Sequence, residues 1–230
     1  MSSGESPVPL RTAFRDELDQ LRLQVELMGV RVDQNLERVR QVLDHGDVTG
    51  DLVAAALAGD DDIDAMHVSL LERCYSLLGR ESPMASDLRF IVSVVHILSE
   101  LERVGDLSLR IVKLAPRFDA LSDTGRAWDI LRTLVDVAVE QYRTALRAWS
   151  SQDLELATRL VESPPSLGAI HERLVDDLHN ITGPDAVALA VDFFVAAQAA
   201  DRIADHAAIV GARLRYLLTG EPAHLAAEVR

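Results

Sequence analysis

Two pairs of acidic residues stand out because each lies deep inside a long stretch of sequence without proline. Glu102 and Asp106 form the first pair, and Asp201 and Asp205 form the second. Residues four apart are neighbours on a helix, so each pair would hold two carboxylates side by side. Residues at helical spacing around the pairs are mostly apolar: Leu88, Val92, Val95 and Leu109 in the first stretch, and Val187, Val191, Phe194 and Ala208 in the second. The spacing predicts that both pairs lie on core-facing stripes.

Burying two neighbouring carboxylates is costly, because each loses its hydration and the two repel each other. Three arrangements would lower that cost. The stripe could face a wet cleft, nearby arginines such as Arg103 and Arg202 could pair with acids, or the carboxylates could hold multivalent cations. The recurrence of the pair in both halves of the chain favours a metal or ion-pair role over ordinary surface charge.

Two histidines occupy equivalent positions in the two halves of the chain. His67 and His171 are separated by 104 residues. If both face the acidic pairs, an imidazole ligand would favour iron or zinc over magnesium. The simpler interpretation is a partly exposed histidine on a helix of medium length.

The elements that must position these residues are helices throughout. Proline suits helix ends and breaks helix interiors, and the eight prolines frame long segments with apolar residues at helical spacing. No sustained strand-like alternation is present, so the fold class is all-α. We interpret Asp60–Asp62 as a helix N-terminus, where negative charge is favourable. The predicted helices cover residues 12–45, 51–58, 62–78, 83–114 and 184–218.

A repeat of about 100 residues divides the chain in two. Glu102–Asp106 recurs as Asp201–Asp205, and Leu36–Asp47 resembles Tyr142–Asp153. Each half should form a small antiparallel helical bundle, because short loops make consecutive helices neighbours. The predicted organisation is a tail over residues 1–10, one repeat over 11–118, a second over 119–221, and a tail over 222–230.

Composition excludes several functional classes. The chain carries 37 acidic against 23 basic residues, a formal charge of −14, which disfavours binding to nucleic acid. Cys74 is the single cysteine, so no internal disulfide can form. Met1–Pro9 lacks the apolar core of a secretory signal, and no stretch is long and apolar enough to insert into a membrane. We therefore expect a cytoplasmic protein.

The chain resembles the PhoU family of phosphate-signalling regulators over about residues 11–221. The resemblance rests on the string Pro83–Arg89 followed by Glu102–Asp106, on Asp201–His206 with Tyr216–Gly220, and on Phe14–Leu18 with Met28–Gly29. Its most specific element is the presence of one acidic pair in the middle of a helix in each repeat.

Membership of this family implies two tandem, pseudo-symmetric three-helix-bundle repeats and clusters of divalent or iron cations at the acidic motifs. Carried over by position, the ligands are Glu102 and Asp106 in one repeat and Asp201 and Asp205 in the other, with Asp64 facing the first pair. His67 stands where the family commonly has glutamate. The family also implies a non-enzymatic negative regulator that links the ATPase subunit of a phosphate ABC transporter to a phosphate-sensing histidine kinase. We further expect a homo-oligomer, in the form of a dimer.

The second site departs from the family pattern, and two other functions compete. The second pair begins with Asp201, Ala204 replaces a glycine, and Gly168 stands where Asp64 stands in the first half. One alternative is a di-metal carboxylate oxidase, which would use Glu-x-x-His motifs on two helices. The nearest matches here are Asp64-x-x-His67 and Asp176-x-x-His179. The other alternative is a metal-free structural interaction protein.

Overall fold

The predicted all-α fold is confirmed. A computed structural model of the protein describes residues 10–45, 50–80, 83–162 and 167–229, and these residues contain no strand. Short 3-10 segments occupy Ala115–Arg117 and Pro222–Val229. The helices are α1 (Leu10–His45), α2 (Asp51–Arg80), α3 (Ala85–Val112), α4 (Phe118–Ser122), α5 (Arg126–Ser151), α6 (Leu154–Glu162), α7 (Leu167–Leu178) and α8 (Ala186–Thr219).

The helices form two bundles of three helical layers each, and the layers follow one another along the chain in the same order in both bundles. Helices α1, α2 and α3 pack against one another in the first bundle, and α5, α6 with α7, and α8 form the second. The bundles meet where α3 packs along α8 and where α1 contacts α5. Helices α3 and α8 contact neighbours on several sides and contribute many of the buried residues, so they are the central helices of the molecule.

Polar contacts also join the bundles. The Tyr142 hydroxyl on α5 donates a buried hydrogen bond of 2.7 Å to the Gly29 carbonyl on α1. Between the central helices, His206 Nδ1 lies 2.5 Å from Glu100 Oε2, and both side chains are buried. Arg103 donates to the other carboxylate oxygen of Glu100 at 3.0 Å. The seam between the repeats is therefore partly charged.

Helix α2 is the main correction to the sequence-based expectations. The prediction of two helices over 51–58 and 62–78 is wrong, because one continuous helix spans Asp51–Arg80. Asp60–Asp62 consequently lies in mid-helix and not at an N-terminus. Gly59 interrupts the pattern because α1 comes close at this point: a Cβ there would lie 2.5 Å from Asn35 Oδ1 and 2.9 Å from Arg38 Nη1.

The structure describes the predicted C-terminal tail but almost none of the predicted N-terminal tail. Residues 222–229, predicted as a tail, form the second 3-10 segment, which packs against α8. The predicted N-terminal tail falls almost entirely on residues 1–9, outside the described residues. Residues 163–166, part of the divergent segment of the second repeat, also lie outside them.

Candidate metal centre

The first acidic pair faces three further polar side chains across the packing of α2 against α3. Glu102 on α3 interacts electrostatically with Asp106 one turn further on and with Asp64 and His67 on α2, and Asp106 interacts in turn with Asp60 on α2. Asp60, one turn before Asp64, joins them. We call these five residues the first acidic cluster.

The cluster raises the pKa of its most enclosed members. Burial, together with the like charges of Asp64 and Asp106, raises the pKa of Asp60 to about 6. Burial and Asp106 also raise the pKa of Glu102, whereas His67 lowers it. Repulsion among neighbouring carboxylates is the cost that a bound cation would remove.

Two buried atoms in the first acidic cluster lack hydrogen-bond partners among the described residues. They are Asp60 Oδ1 and His67 Nε2. Gly105 lets Asp60 approach α3, because a Cβ at that position would lie 3.1 Å from Asp60 Oδ1. A buried carboxylate oxygen and an imidazole nitrogen without partners are suitable metal ligands.

The second acidic pair faces a single histidine. His171 on α7 donates from Nδ1 to Asp201 Oδ2 over 2.6 Å, and its ring meets Phe194 edge-on. Burial raises the pKa of Asp201, His171 lowers it and Asp205 raises it. Asp201 Oδ1 is buried without a hydrogen-bond partner in the described part of the chain. We call these three residues, His171, Asp201 and Asp205, the second acidic cluster.

The prediction that both acidic pairs lie on core-facing stripes is wrong. Asp106 and Asp205 are exposed, and Glu102 and Asp201 are half-buried. The apolar residues that precede them on the same stripes are exposed as well: Leu88 and Val92 on α3, and Val187, Val191 and Phe194 on α8. On each central helix the outward-facing stripe is also apolar, so the sequence pattern does not distinguish it from a core-facing stripe.

The side chains of the first acidic cluster include the donor atoms that a divalent cation needs, although they do not yet surround a common centre. Four carboxylates and an imidazole can supply oxygen and nitrogen ligands, as divalent transition metals require. Among the residues that the structure describes, no three His, Cys, Asp or Glu side chains already meet as a metal-holding group. Rotation of the exposed carboxylates of Asp64 and Asp106 would be needed to close a coordination shell. The second acidic cluster offers fewer donors.

Other residues singled out in the sequence lie away from the clusters. His179 contacts the Val175 carbonyl at the exposed end of α7, so the second Asp-x-x-His match is outside both clusters. Cys74 is buried in the core, and burial raises the pKa of its thiol to about 11. His206 points away from Asp205 and pairs with Glu100. Sequence reasoning missed Asp60, although its spacing to Asp64 repeats the four-residue spacing of the pair on α3.

The fold and the acidic clusters define a class of duplicated helical-bundle proteins with one acidic motif per repeat. The family model described as "PhoU domain" matches residues 25–115, which contain α2, α3 and much of α1. A crystal structure of PhoU from Pseudomonas aeruginosa superposes with a TM-score of 0.82 at 25% identity, covering 90% of this chain and all of that one. PhoU from Streptococcus pneumoniae shares the fold with a TM-score of 0.79 at 22% identity, covering 90% of this chain and 98% of that one.

Curated relatives agree with the structural comparison. The phosphate-specific transport system accessory protein PhoU homolog 2 of Mycobacterium tuberculosis is 28% identical over 214 residues, 92% of this chain and 99% of the relative. The PhoU accessory protein of Escherichia coli is 27% identical over 166 residues, 72% of this chain and 67% of the relative. The chain therefore matches the PhoU domain over residues 25–115 and is similar to PhoU proteins over about nine tenths of its length. None of its described helices combines the length and apolar composition needed to cross a membrane.

Proposed function

We propose that this chain is a metal-binding cytoplasmic adaptor that restrains phosphate uptake and phosphate-starvation signalling. In this role it links the ATPase subunit of a phosphate ABC transporter to a sensor histidine kinase. The observation that carries the proposal is the first acidic cluster, which lies in a chain whose relatives are named accessory proteins of phosphate-specific transport.

Divalent or iron cations would be held at the first acidic cluster by Asp60, Asp64, His67, Glu102 and Asp106. A bound cation would supply fixed positive charge that offsets the repulsion among the carboxylates. The imidazole of His67 favours iron or zinc over magnesium. At the second acidic cluster, Asp201 and Asp205 would bind more weakly, because only His171 assists them.

The outward stripes of the central helices support an adaptor that binds other proteins. On α8, Val187, Val191 and Phe194 are 78%, 54% and 49% exposed and lead along the helix toward Asp201. On α3, Leu88 and Val92 lead in the same way toward Glu102. Exposed rows of apolar residues of this kind often mark surfaces that bind other proteins. Two such rows, one per repeat, would suit a protein that binds two partner proteins. The same rows would also suit the interface of a homodimer.

A catalytic role has less support. The di-metal oxidase alternative needs two Glu-x-x-His helices facing one centre. Asp64 and His67 belong to the first acidic cluster, whereas Asp176 and His179 lie at the exposed end of α7. The relatives are named as accessory or regulatory proteins, which also favours a non-enzymatic role.

Genetic complementation tests the proposal. Loss of the protein should derepress phosphate-starvation genes in phosphate-replete cells, and the wild-type chain should restore repression. The double variant E102A/D106A should fail to restore it at equal protein abundance. A matched control is D119A/D123A, which removes two exposed carboxylates, also four apart, outside both clusters. Unchanged expression in the deletion strain would contradict the proposed role.

A further inference from the structure

A polar cavity lies far from both acidic clusters, where the start of α3 meets α1 and the end of α8. It has a volume of about 370 Å³, and its charged lining consists of Arg15, Arg22 and Arg89 with Asp19 and Asp87. Three arginines thus face two aspartates in a chain whose formal charge is −14. Arg89 and Glu102 are 13 positions apart on α3, which corresponds to about 20 Å along the helix.

Arg22 has an unmet hydrogen-bonding requirement in this cavity. Its Nε is buried and has no hydrogen-bond partner among the described residues, while its guanidinium stacks over the Phe90 ring at 5.2 Å from the centroid. Stacking fixes the guanidinium plane and leaves its in-plane N–H groups free. Because Arg22 lines the cavity, an acceptor bound there would pair with the terminal N–H groups of its guanidinium and offset the cost of enclosing this charge.

Arg89 is held in place by the end of α8. Its Nε donates to the Leu217 carbonyl at 3.3 Å, and its guanidinium lies over the Tyr216 ring at 5.9 Å from the centroid. Gly220, with φ of 77°, makes room for it, because a Cβ there would lie 2.8 Å from Arg89 Nη1. Arg89 therefore screens the negative end of the α8 dipole from the cavity.

The first turn of α3 adds neutral donors to those of the arginines. The N-cap residue Met84 makes no side-chain capping bond, and Ser86, whose hydroxyl donates to Asp87 Oδ1 at 3.4 Å, lines the cavity. The amides of this first turn lack partners within the helix and carry partial positive charge. Asp19 and Asp87 are acceptors, which can bind the O–H of a protonated phosphate or a hydroxyl group beside it.

We propose that this cavity binds a phosphate group. Forked guanidinium donors held by aromatic stacking recognise tetrahedral phosphate oxygens in a bidentate manner. The volume and the two acceptors accommodate either inorganic phosphate with bound water or a phosphate monoester of a small polyol. This inference goes beyond the proposed function, since it needs neither a bound metal nor a protein partner.

Calorimetric titration of the full-length protein with inorganic phosphate and, separately, with ribose 5-phosphate tests this site. Wild-type protein should bind at least one of them, and the tighter ligand identifies the source of the phosphate group. R22M keeps the aliphatic packing on Phe90 but removes the donors, so it should weaken binding at least tenfold. R22K should fall between wild type and R22M, because it keeps the charge and loses the fork.

Three controls distinguish binding in this cavity from binding elsewhere on the protein. R31M removes an exposed arginine of α1 outside the cavity and should bind like wild type. Chelator-treated protein and the E102A/D106A variant should also keep their affinity, which separates this cavity from phosphate bridging metals at the acidic clusters. Absence of binding by wild type, equal binding by R22M, or binding that is lost only in E102A/D106A would overturn the proposal.

Discussion

Asp60 lies among like charges in a largely buried position. Its side chain interacts with Asp64 and Asp106, and Gly105 is the position on α3 that leaves space for it. The sequence did not identify Asp60 as part of the site, because a run of three aspartates is typical of a helix N-terminus. Glu102, Asp106 and Asp64 were predictable from the family pattern, whereas His67 departs from that pattern and was predicted as a ligand from its match with His171.

The metal-free protein should become more stable when Asp60 is neutralised. Its folded-state pKa of about 6 lies above the ordinary value of 3.8, so ionised Asp60 destabilises the folded state at pH 7. This destabilisation is lost as the pH falls through 6 toward 4. We expect D60N to raise the free energy of unfolding at pH 7 by about 1–2 kcal/mol, reduced from the full shift because the neighbouring acids are exposed.

Urea denaturation of chelator-treated protein at pH 7 and pH 4.5 measures this effect. The gain from D60N should shrink at the lower pH, because Asp60 is then protonated in the folded protein. D62N, an exposed residue of the same helix, should change stability little at either pH. A D60N protein that is less stable than wild type at pH 7 would show that the charged form of Asp60 is stabilising.

At the level of helices, sequence patterns predicted where the long helices begin and end more accurately than whether a helix is continuous. Helices α1, α3 and α8 begin and end within about two residues of their predicted bounds. Helix α2 was divided wrongly, because Gly59 and the following aspartates are typical of a break. Tertiary packing decides instead, since Asn35 is fully buried and donates to the Ala56 carbonyl at 3.1 Å.

Gly59 should be needed for the contact between α1 and α2. In G59A the new Cβ would displace the buried Asn35 side chain, so we expect a loss of about 1–2 kcal/mol despite the better helix propensity of alanine. G79A is the matched control on the same helix, where a Cβ meets nothing within 4 Å. That variant should gain up to about 1 kcal/mol. Equal effects of both changes on denaturant unfolding would contradict the close approach.

At the scale of the whole molecule, the two repeats are held together by a seam that is not symmetric. The buried pair of Glu100 and His206 joins α3 to α8. At the 99-residue offset of the acidic motifs, the equivalent residues are Ala199 and Leu107, both buried and apolar. The duplication was predictable from the recurring motif, whereas this asymmetric pairing depends on how the two bundles dock.

Removing one member of the pair should cost more than replacing both. E100A would leave His206 buried without its carboxylate, and we expect a loss of about 3 kcal/mol. The double variant E100A/H206L, which installs the residues of the equivalent positions, should recover most of that loss. A double-mutant cycle by chemical denaturation measures the coupling. Additive losses would show that the two side chains do not act as a pair.

The metal content of purified protein, measured by elemental analysis, tests the central claim of a cation site in the first repeat most directly. Wild-type protein should contain iron, zinc or another divalent cation, and E102A/D106A should lose most of it. D201A/D205A should lose less, because the second acidic cluster has fewer donors, and D119A/D123A should match wild type. Equal, near-zero metal in wild type and in E102A/D106A would contradict the assignment of the first acidic cluster as a metal site.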